Sequence, residues 1–165
     1  MGFSNPKKIR FVLVLSLMLC GCASYGPTED ANYEQLINTA LPPDAGAVKM
    51  SAPGEWWRDT DGWKINFNNP YYPTSGSVVI TETALYFLQW YKKTSSYKIM
   101  LRIKYDEIES LELAKQGFGR RVAIQRKDSS FVSSFNSFDF RNKKAEEAFR
   151  LLQEMRKTAA PSTTP

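Results

Sequence analysis

The feature that most constrains the fold is a series of short strand-like segments along the middle of the chain. Residues 97–105 give the clearest signal, because apolar and polar side chains alternate along them. Such alternation is typical of a strand with one buried and one solvated face. Its expected inner residues are Ile99, Leu101, Ile103 and Tyr105. Further strands are predicted at residues 63–67, 77–81, 84–90, 120–127 and 131–138, with a bulge or short turn near Ile108.

The pattern changes period at Ala145, where apolar residues begin to recur every three or four positions, as on one face of a helix. Acidic residues begin this segment and basic residues end it, as the helix dipole favours. Six or seven antiparallel strands followed by one amphipathic helix predict a mainly β (α+β) fold. We expect a small bent sheet or open barrel, capped by the helix, in a domain over residues 63–157.

Two segments of this domain resemble the pleckstrin-homology-like (PH-like) superfold and, within it, the GRAM-type domains. Residues 76–87 are similar to the opening hairpin of that family, which runs from a glycine through a strand and a threonine into Leu85-Tyr86-Phe87. Residues 103–111 resemble its next landmark, a strand that runs into two acidic residues and an isoleucine. The resemblance covers residues 76–157. The main alternative is another small module of strands and a helix, such as a lipocalin-like half barrel.

The N-terminus is organised like a secretory signal, with basic residues ahead of the apolar run 11–19. Nine helical residues rise only about 14 Å, against about 30 Å for the hydrocarbon core of a bilayer. The run ends in Leu19-Cys20-Gly21-Cys22, which resembles the lipobox of bacterial lipoproteins. The resemblance implies removal of residues 1–21 and acylation of Cys22, with palmitate among the attached chains. Because Ala23 stands where an aspartate would signal inner-membrane retention, it also implies an outer-membrane protein that faces the periplasm.

Composition excludes several classes of function. Removal of the signal takes away Lys7, Lys8 and Arg10, which are three of the five excess positive charges, so a nucleic-acid partner is not expected. The chain has no histidine, and its two cysteines are lost with the signal or acylated. Zinc sites, Ser-His-Asp triads and Cys-His pairs are thereby excluded. We expect no catalytic residue, metal or cofactor.

Residues 22–62 are expected to form a tether, because prolines and glycines punctuate them. One short helix is predicted inside it, where Tyr33, Leu36, Ile37 and Ala40 recur at helical spacing ahead of Pro42-Pro43. A helix of this length is not stable alone, so it should dock on the domain or form with a partner. Residues 158–165 are small, polar and proline-bearing, and are expected to be a disordered tail.

An aromatic-rich segment at the start of the domain is the first candidate binding site. Trp and Tyr dominate the energetics of binding surfaces, so these rings would suit a protein partner. The alternative is that they complete the core of a small domain. They are Trp56, Trp57, Trp63, Tyr71 and Tyr72.

A set of basic residues is the second candidate site. In eukaryotic PH-like domains, basic residues on early strands and loops bind phosphoinositide head groups, so the resemblance implies an anionic ligand here. The alternative is that they lie on solvated strand faces among interleaved acidic residues. The residues chosen for this site are Lys92, Lys93, Arg120 and Arg121.

The leading hypothesis is a non-enzymatic, lipid-anchored adaptor whose PH-like domain binds an envelope protein. A domain that binds phospholipid or lipopolysaccharide head groups is the alternative, and it requires an apolar pocket or convergent Lys and Arg side chains. An adaptor requires an exposed patch or a free strand edge. A carboxylate-based hydrolase is the second alternative, and it requires two acidic residues that converge in a cleft with raised pKa values.

Overall fold

A computed structural model describes residues 25–59, 73–116, 119–127, 135–140 and 144–159. Its centre is a 7-stranded antiparallel sheet with the order β4-β3-β2-β1-β7-β6-β5, so that β4 and β5 are the outer strands. The strands are β1 (Val48–Asp59), β2 (Thr74–Thr81), β3 (Ala84–Tyr91), β4 (Ser96–Lys104), β5 (Ile108–Gln116), β6 (Gly119–Arg126) and β7 (Phe135–Phe140). The helices are α1 (Tyr33–Ala40) before the sheet and α2 (Ala145–Ala159) after it, with 3-10 turns at Pro43–Ala45 and Tyr105–Glu107.

The main core lies between one face of the sheet and α2. Ala148 and Leu152 of the helix are fully buried against it. The Phe87 ring lies 5.5 Å from the Trp56 ring and 6.4 Å from the Phe138 ring, measured between centroids. The expected architecture of a small antiparallel sheet closed by one C-terminal amphipathic helix is confirmed.

Two local predictions in the first half of the domain are also confirmed. The hairpin of β2 and β3 turns at Glu82 and Thr83, where the Thr81 hydroxyl donates to the Ala84 carbonyl (3.0 Å) and accepts from the Ala84 N–H (3.2 Å). The chain then leaves β4 through a 3-10 turn, and the pairing of β5 with β6 shifts register just after Ile108.

The expected inner face of β4 is correct for Leu101 and Ile103 but wrong for Ile99. Phe87 pairs with Leu101 while Leu88 pairs with Ile99, so Met100 is one residue extra in the β3–β4 ladder. A bulge of this kind reverses the alternation, because side chains on the two sides of it point to opposite faces. Ile99 is consequently 40% exposed.

The second half of the expected tether differs most from the structure. Val48–Asp59 is a strand at the centre of the sheet, paired with both β2 and β7. The strand was not predicted because proline followed by glycine, here Pro53-Gly54, is typical of a turn. Glycine is needed there because a Cβ at Gly54 would lie 2.6 Å from the Asp139 carbonyl oxygen. The strand predicted at residues 63–67 lies outside the described residues.

The first half of the expected tether packs on the other face of the sheet. We call residues 25–47 the strap. Its helix, α1, forms where it was predicted, and Ile37 is 1% exposed. The Tyr33 hydroxyl donates to Ser77 Oγ (3.0 Å), and its ring meets the Tyr97 ring edge-on. The strap and the sheet form a second core from Tyr33, Ile37, Ala45, Val79, Ala84, Tyr86, Leu88 and Tyr97.

Polar contacts fix the end of the strap on β2, β3 and β4. The Ala47 N–H donates to Glu82 Oε2 (3.1 Å), and Lys49 Nζ lies 2.7 Å from Glu82 Oε1. These two contacts lower the pKa of Glu82. Arg102 pairs with Asp44 at 3.0 Å. The strap is therefore part of the domain rather than a spacer ahead of it.

Replacing Ile37 with Ala should lower the free energy of unfolding by about 2–5 kcal/mol, because it empties a fully enclosed site in the second core. Gln35→Ala, on the exposed side of the same helix, is the matched control and should have little effect. Urea denaturation measures both. Equal stabilities of the two variants would contradict the packing of the strap.

Candidate functional site

The two adjacent tryptophans of the aromatic segment lie on opposite faces of β1. Trp56 is 5% exposed and belongs to the main core, so its side chain is not part of a binding surface, contrary to the prediction. Trp57 lies on the outer face, which is the face that carries the strap, and its side chain is half-buried. Trp63, Tyr71 and Tyr72 lie outside the described residues.

Trp57 is stacked against Arg121. The guanidinium carbon lies 3.9 Å from the centroid of the indole ring, a cation–π contact worth about 0.5–2 kcal/mol. The two residues come from β1 and β6, which are separated by β7. The Trp57 indole nitrogen is buried and has no hydrogen-bond partner among the described residues.

Two carboxylates lie beside this stack. The sheet register places Glu55 opposite Asp139 and Asp139 opposite Arg121, so the three form one row across β1, β7 and β6. The Tyr25 hydroxyl, from the strap, donates to Glu55 Oε1 at 2.7 Å. We call Tyr25, Glu55, Trp57, Arg121 and Asp139 the outer-face cluster.

The electrostatics of the row are set by burial. Burial of the Asp139 carboxylate raises its pKa above 3.8; Arg121 acts to lower that pKa, and the negative charge of Glu55 adds to the rise. The side chains of all five cluster residues are only partly buried. The cluster thus presents an indole, a guanidinium and two carboxylates on an open sheet face.

The paired carboxylates of the cluster do not form the cleft that a hydrolase requires. Arg121 compensates the charge of Asp139, and Tyr25 donates to Glu55. A cleft of about 410 Å³ lies elsewhere, between α1 and the start of β1, and Asn38, Lys49 and Ser51 are among its polar lining residues. It is not the apolar pocket expected of a domain that encloses a lipid.

The four candidate basic residues are not brought together. Lys92 and Lys93 are exposed in the turn between β3 and β4. Arg120 is on β6, where it pairs with Glu146 at 3.0 Å, and Arg121 belongs to the outer-face cluster. Three strands separate β3 from β6 in the sheet, and neighbouring strands lie about 4.8 Å apart. These residues do not form a single anion site.

The turn end of β3 and β4 carries a second group of exposed residues. Ile99 is 40% and Met100 37% exposed. The Tyr91 hydroxyl contacts Met100 Sδ at 3.8 Å, and Lys98 Nζ lies 4.5 Å from the centroid of the Tyr91 ring. We call Tyr91, Lys92, Lys93, Lys98, Ile99 and Met100 the β3–β4 end.

Within the described ranges there is no group of three or more Cys, Asp or Glu side chains able to hold a metal ion. The helices in those ranges are also too short or too polar to cross a membrane. The predicted acylation site, Cys22, lies outside the described residues.

Asp139→Asn should stabilise the domain at pH 7, because it removes a charge whose burial costs more than its attraction to Arg121 returns. In the native protein the raised pKa of Asp139 stabilises the folded state at low pH, where the carboxyl group is protonated. This stabilisation is lost as the pH rises through the pKa of Asp139. The advantage of the variant should therefore shrink as the pH falls from 7 toward 3.8.

Urea denaturation of both proteins between pH 7 and pH 4 measures this difference. Asp106→Asn, at an exposed carboxylate of the 3-10 turn, is the control. An Asp139→Asn protein that is less stable than the native one at pH 7 would show that the attraction of Asp139 to Arg121 outweighs the cost of burial.

Comparison with known proteins shows the fold. No protein-family model matches the chain, and no curated protein matches its sequence. Among solved structures, the Vps36 N-terminal PH domain superimposes with a TM-score of 0.53 at 13% identity, over 72% of this chain and 84% of that one. A structure of Vav1 inhibited by an allosteric inhibitor gives 0.52 at 10% identity, over 94% of this chain and 40% of that one. The chain has a PH-like fold.

Proposed function

We propose that this chain is a lipid-anchored, non-enzymatic adaptor of the bacterial cell envelope, and that its PH-like domain binds a protein partner through the outer-face cluster. The lipobox resemblance at Cys22 supports the anchor. The PH-like fold and the open sheet face support a binding module rather than an enzyme.

The stack of Trp57 and Arg121 is the observation that carries the proposal. Trp and Arg are the residue types most enriched among those that dominate binding energy at protein interfaces. The cation–π contact holds both side chains in place, so less side-chain entropy is lost when a partner docks. Glu55 and Asp139 beside them offer hydrogen-bond acceptors, which suit a polar protein surface and do not suit acyl chains.

The strap changes how the anchor would work. Because Tyr25 already packs on the sheet, an acylated Cys22 would be linked to the domain by residues 22–24 alone. Three residues span at most about 11 Å. Anchoring would therefore hold the outer-face cluster next to the membrane, where a partner in the same membrane meets it at high effective concentration.

The lipid-pocket and hydrolase alternatives have less support. The basic residues lie on distant strands, and the described cleft has a polar lining. The paired carboxylates have an arginine and a tyrosine as partners on an open face.

Trp57→Ala should weaken capture of the partner at least 30-fold, since a dominant interface residue contributes about 2 kcal/mol or more. Crosslinking in intact envelopes, followed by recovery of the acylated protein, measures the capture. Arg150→Ala, at a large exposed side chain of α2 outside the cluster, is the control and should retain the partner.

Equal capture by Trp57→Ala and the native protein would contradict the proposed surface. Recovery of lipid and no protein would contradict the adaptor function itself.

Cys22→Ala tests the anchor separately. The native protein should fractionate with membranes and carry acyl chains on its N-terminal peptide by mass spectrometry, and the variant should lose both. Membrane association of Cys22→Ala at the native level would contradict lipid anchoring.

A further inference from the structure

The first described residues of the strap fix the point at which an anchor would hold the domain. The Tyr97 hydroxyl donates to the Tyr25 carbonyl at 2.9 Å. Gly26 follows with φ +86°, and a Cβ on it would lie 2.3 Å from Tyr97 Oη and 3.1 Å from Trp90 Cβ. The chain therefore enters the fold in tight contact with Trp90 and Tyr97.

Trp90 and Tyr97 belong to the last pairs of the β3–β4 hairpin before its turn. They are cross-strand partners whose rings lie 5.0 Å apart, and residues 92–95 form the turn just beyond them. Lys92 is two residues from Trp90, so their Cα atoms are at most about 7 Å apart. Cys22 lies within about 11 Å of Tyr25 by the same measure. An anchor at Cys22 thus places the β3–β4 end close to the lipid.

The composition of the β3–β4 end suits an anionic bilayer surface. Residues 91–100 contain no acidic residue and three basic ones, which are Lys92, Lys93 and Lys98. Ile99 and Met100 are the large apolar side chains identified as exposed in the described structure. Apolar side chains flanked by lysines and a tyrosine are typical of protein segments that lie in a membrane interface.

We propose that the β3–β4 end is a membrane-docking surface, which lies on the same anionic bilayer that holds the acyl chains of Cys22. Ile99 and Met100 enter the head-group region, while Lys92, Lys93 and Lys98 lie against lipid phosphates. This inference rests on the proposed anchoring. A lipid surface is favoured over a protein because the three-residue link already brings this end to the bilayer. Residues 91–100 also carry three lysines and no acidic residue.

The docking surface has a physical role that the anchor alone does not fill. Acyl chains attached at one residue hold the domain at the bilayer without setting its orientation. Docking of the β3–β4 end fixes that orientation. Since α2 packs mainly on β5, β6 and the 3-10 turn Tyr105–Glu107, which follows the opposite end of β4, the docked domain holds α2 away from the lipid.

Lysine modification tests the orientation directly. Residues 22–165 include every described residue and one cysteine, Cys22. This form can be purified with its native acyl chains. It can also be produced without acyl chains and then coupled to a lipid through the Cys22 thiol. Both forms are reconstituted on vesicles of phosphatidylethanolamine and phosphatidylglycerol, treated with a water-soluble acetylating reagent, and analysed by mass spectrometry for each lysine.

The rate of acetylation is compared between the anchored protein on vesicles and the unanchored Cys22→Ala protein in detergent-free solution. On vesicles, the reaction should be slower at Lys92, Lys93 and Lys98. Lys115 on β5 and Lys157 in the last turn of α2, both exposed, should react at the same rate in the two states. The protection should decrease when phosphatidylglycerol is replaced by phosphatidylcholine, because the surface charge is then lost.

Lys92→Ala with Lys93→Ala should return Lys98 to nearly its solution rate. Each lysine near an anionic surface changes the ratio of docked to undocked domain about fivefold, so the pair changes it about 25-fold. Lys115→Ala with Lys157→Ala is the matched control and should leave Lys98 protected. Both pairs are exposed and should not alter folding.

Equal reactivity of all lysines on vesicles, or protection of Lys115 and Lys157 instead, would overturn the proposal. Protection of Lys98 in native envelopes but not on pure lipid vesicles would also overturn it, and would indicate a protein at this surface. Absence of acyl chains on native Cys22 would contradict the anchoring alone, because the lipid-coupled form still tests the surface.

Discussion

The burial of both faces of β2 and β3 is the constraint on which the rest of the structure depends. Leu85 and Phe87 face the main core and α2, while Tyr86 and Leu88 face the second core under the strap, and all four are fully buried. A sheet with α2 alone would leave the Tyr86 face in water. The strap is needed to cover it, which is why a segment rich in prolines and glycines is an integral part of the domain.

This packing decides what an anchor at Cys22 can do. A free tether over residues 22–62 would let the domain range far from the membrane and turn in any direction. Because Tyr25 contacts Glu55 and Tyr97, only residues 22–24 would link an acylated Cys22 to the domain. The outer-face cluster and the β3–β4 end lie on the two sides of that attachment point, so a partner and the bilayer would meet neighbouring parts of one surface.

Features that depend on local sequence could be predicted well. The hairpin of β2 and β3, the turn before Ile108, α1 and α2 each arise from periodicity and turn residues within a short window. Ile99 was assigned to the wrong face because a bulge at Met100 shifts the register without leaving a local signal. The strand β1 was missed because Pro53-Gly54 has the composition of a turn, although Gly54 is required by close approach of the Asp139 backbone.

The candidate site depends on long-range pairing and was only partly accessible from the sequence. The sequence predicted Trp57 as part of a protein-binding surface and Arg121 as part of an anion-binding site. No local sequence pattern indicates that the two side chains touch. Their contact requires the register of β1 with β7 and of β7 with β6, which also brings Glu55 beside Asp139. Trp56 and Trp57 are adjacent in sequence, yet strand alternation sends one into the core and the other to the surface.

Amide hydrogen exchange over residues 25–47 tests the central claim, that the strap is part of the folded domain, most directly. The Cys22→Ala protein removes any contribution of the membrane. The account predicts that the amides of α1 exchange slowly, with protection comparable to that of β2 and β3 and lost together with theirs as denaturant is added. Exchange of residues 33–40 at the rate of an unstructured peptide, while β2 and β3 stay protected, would contradict it.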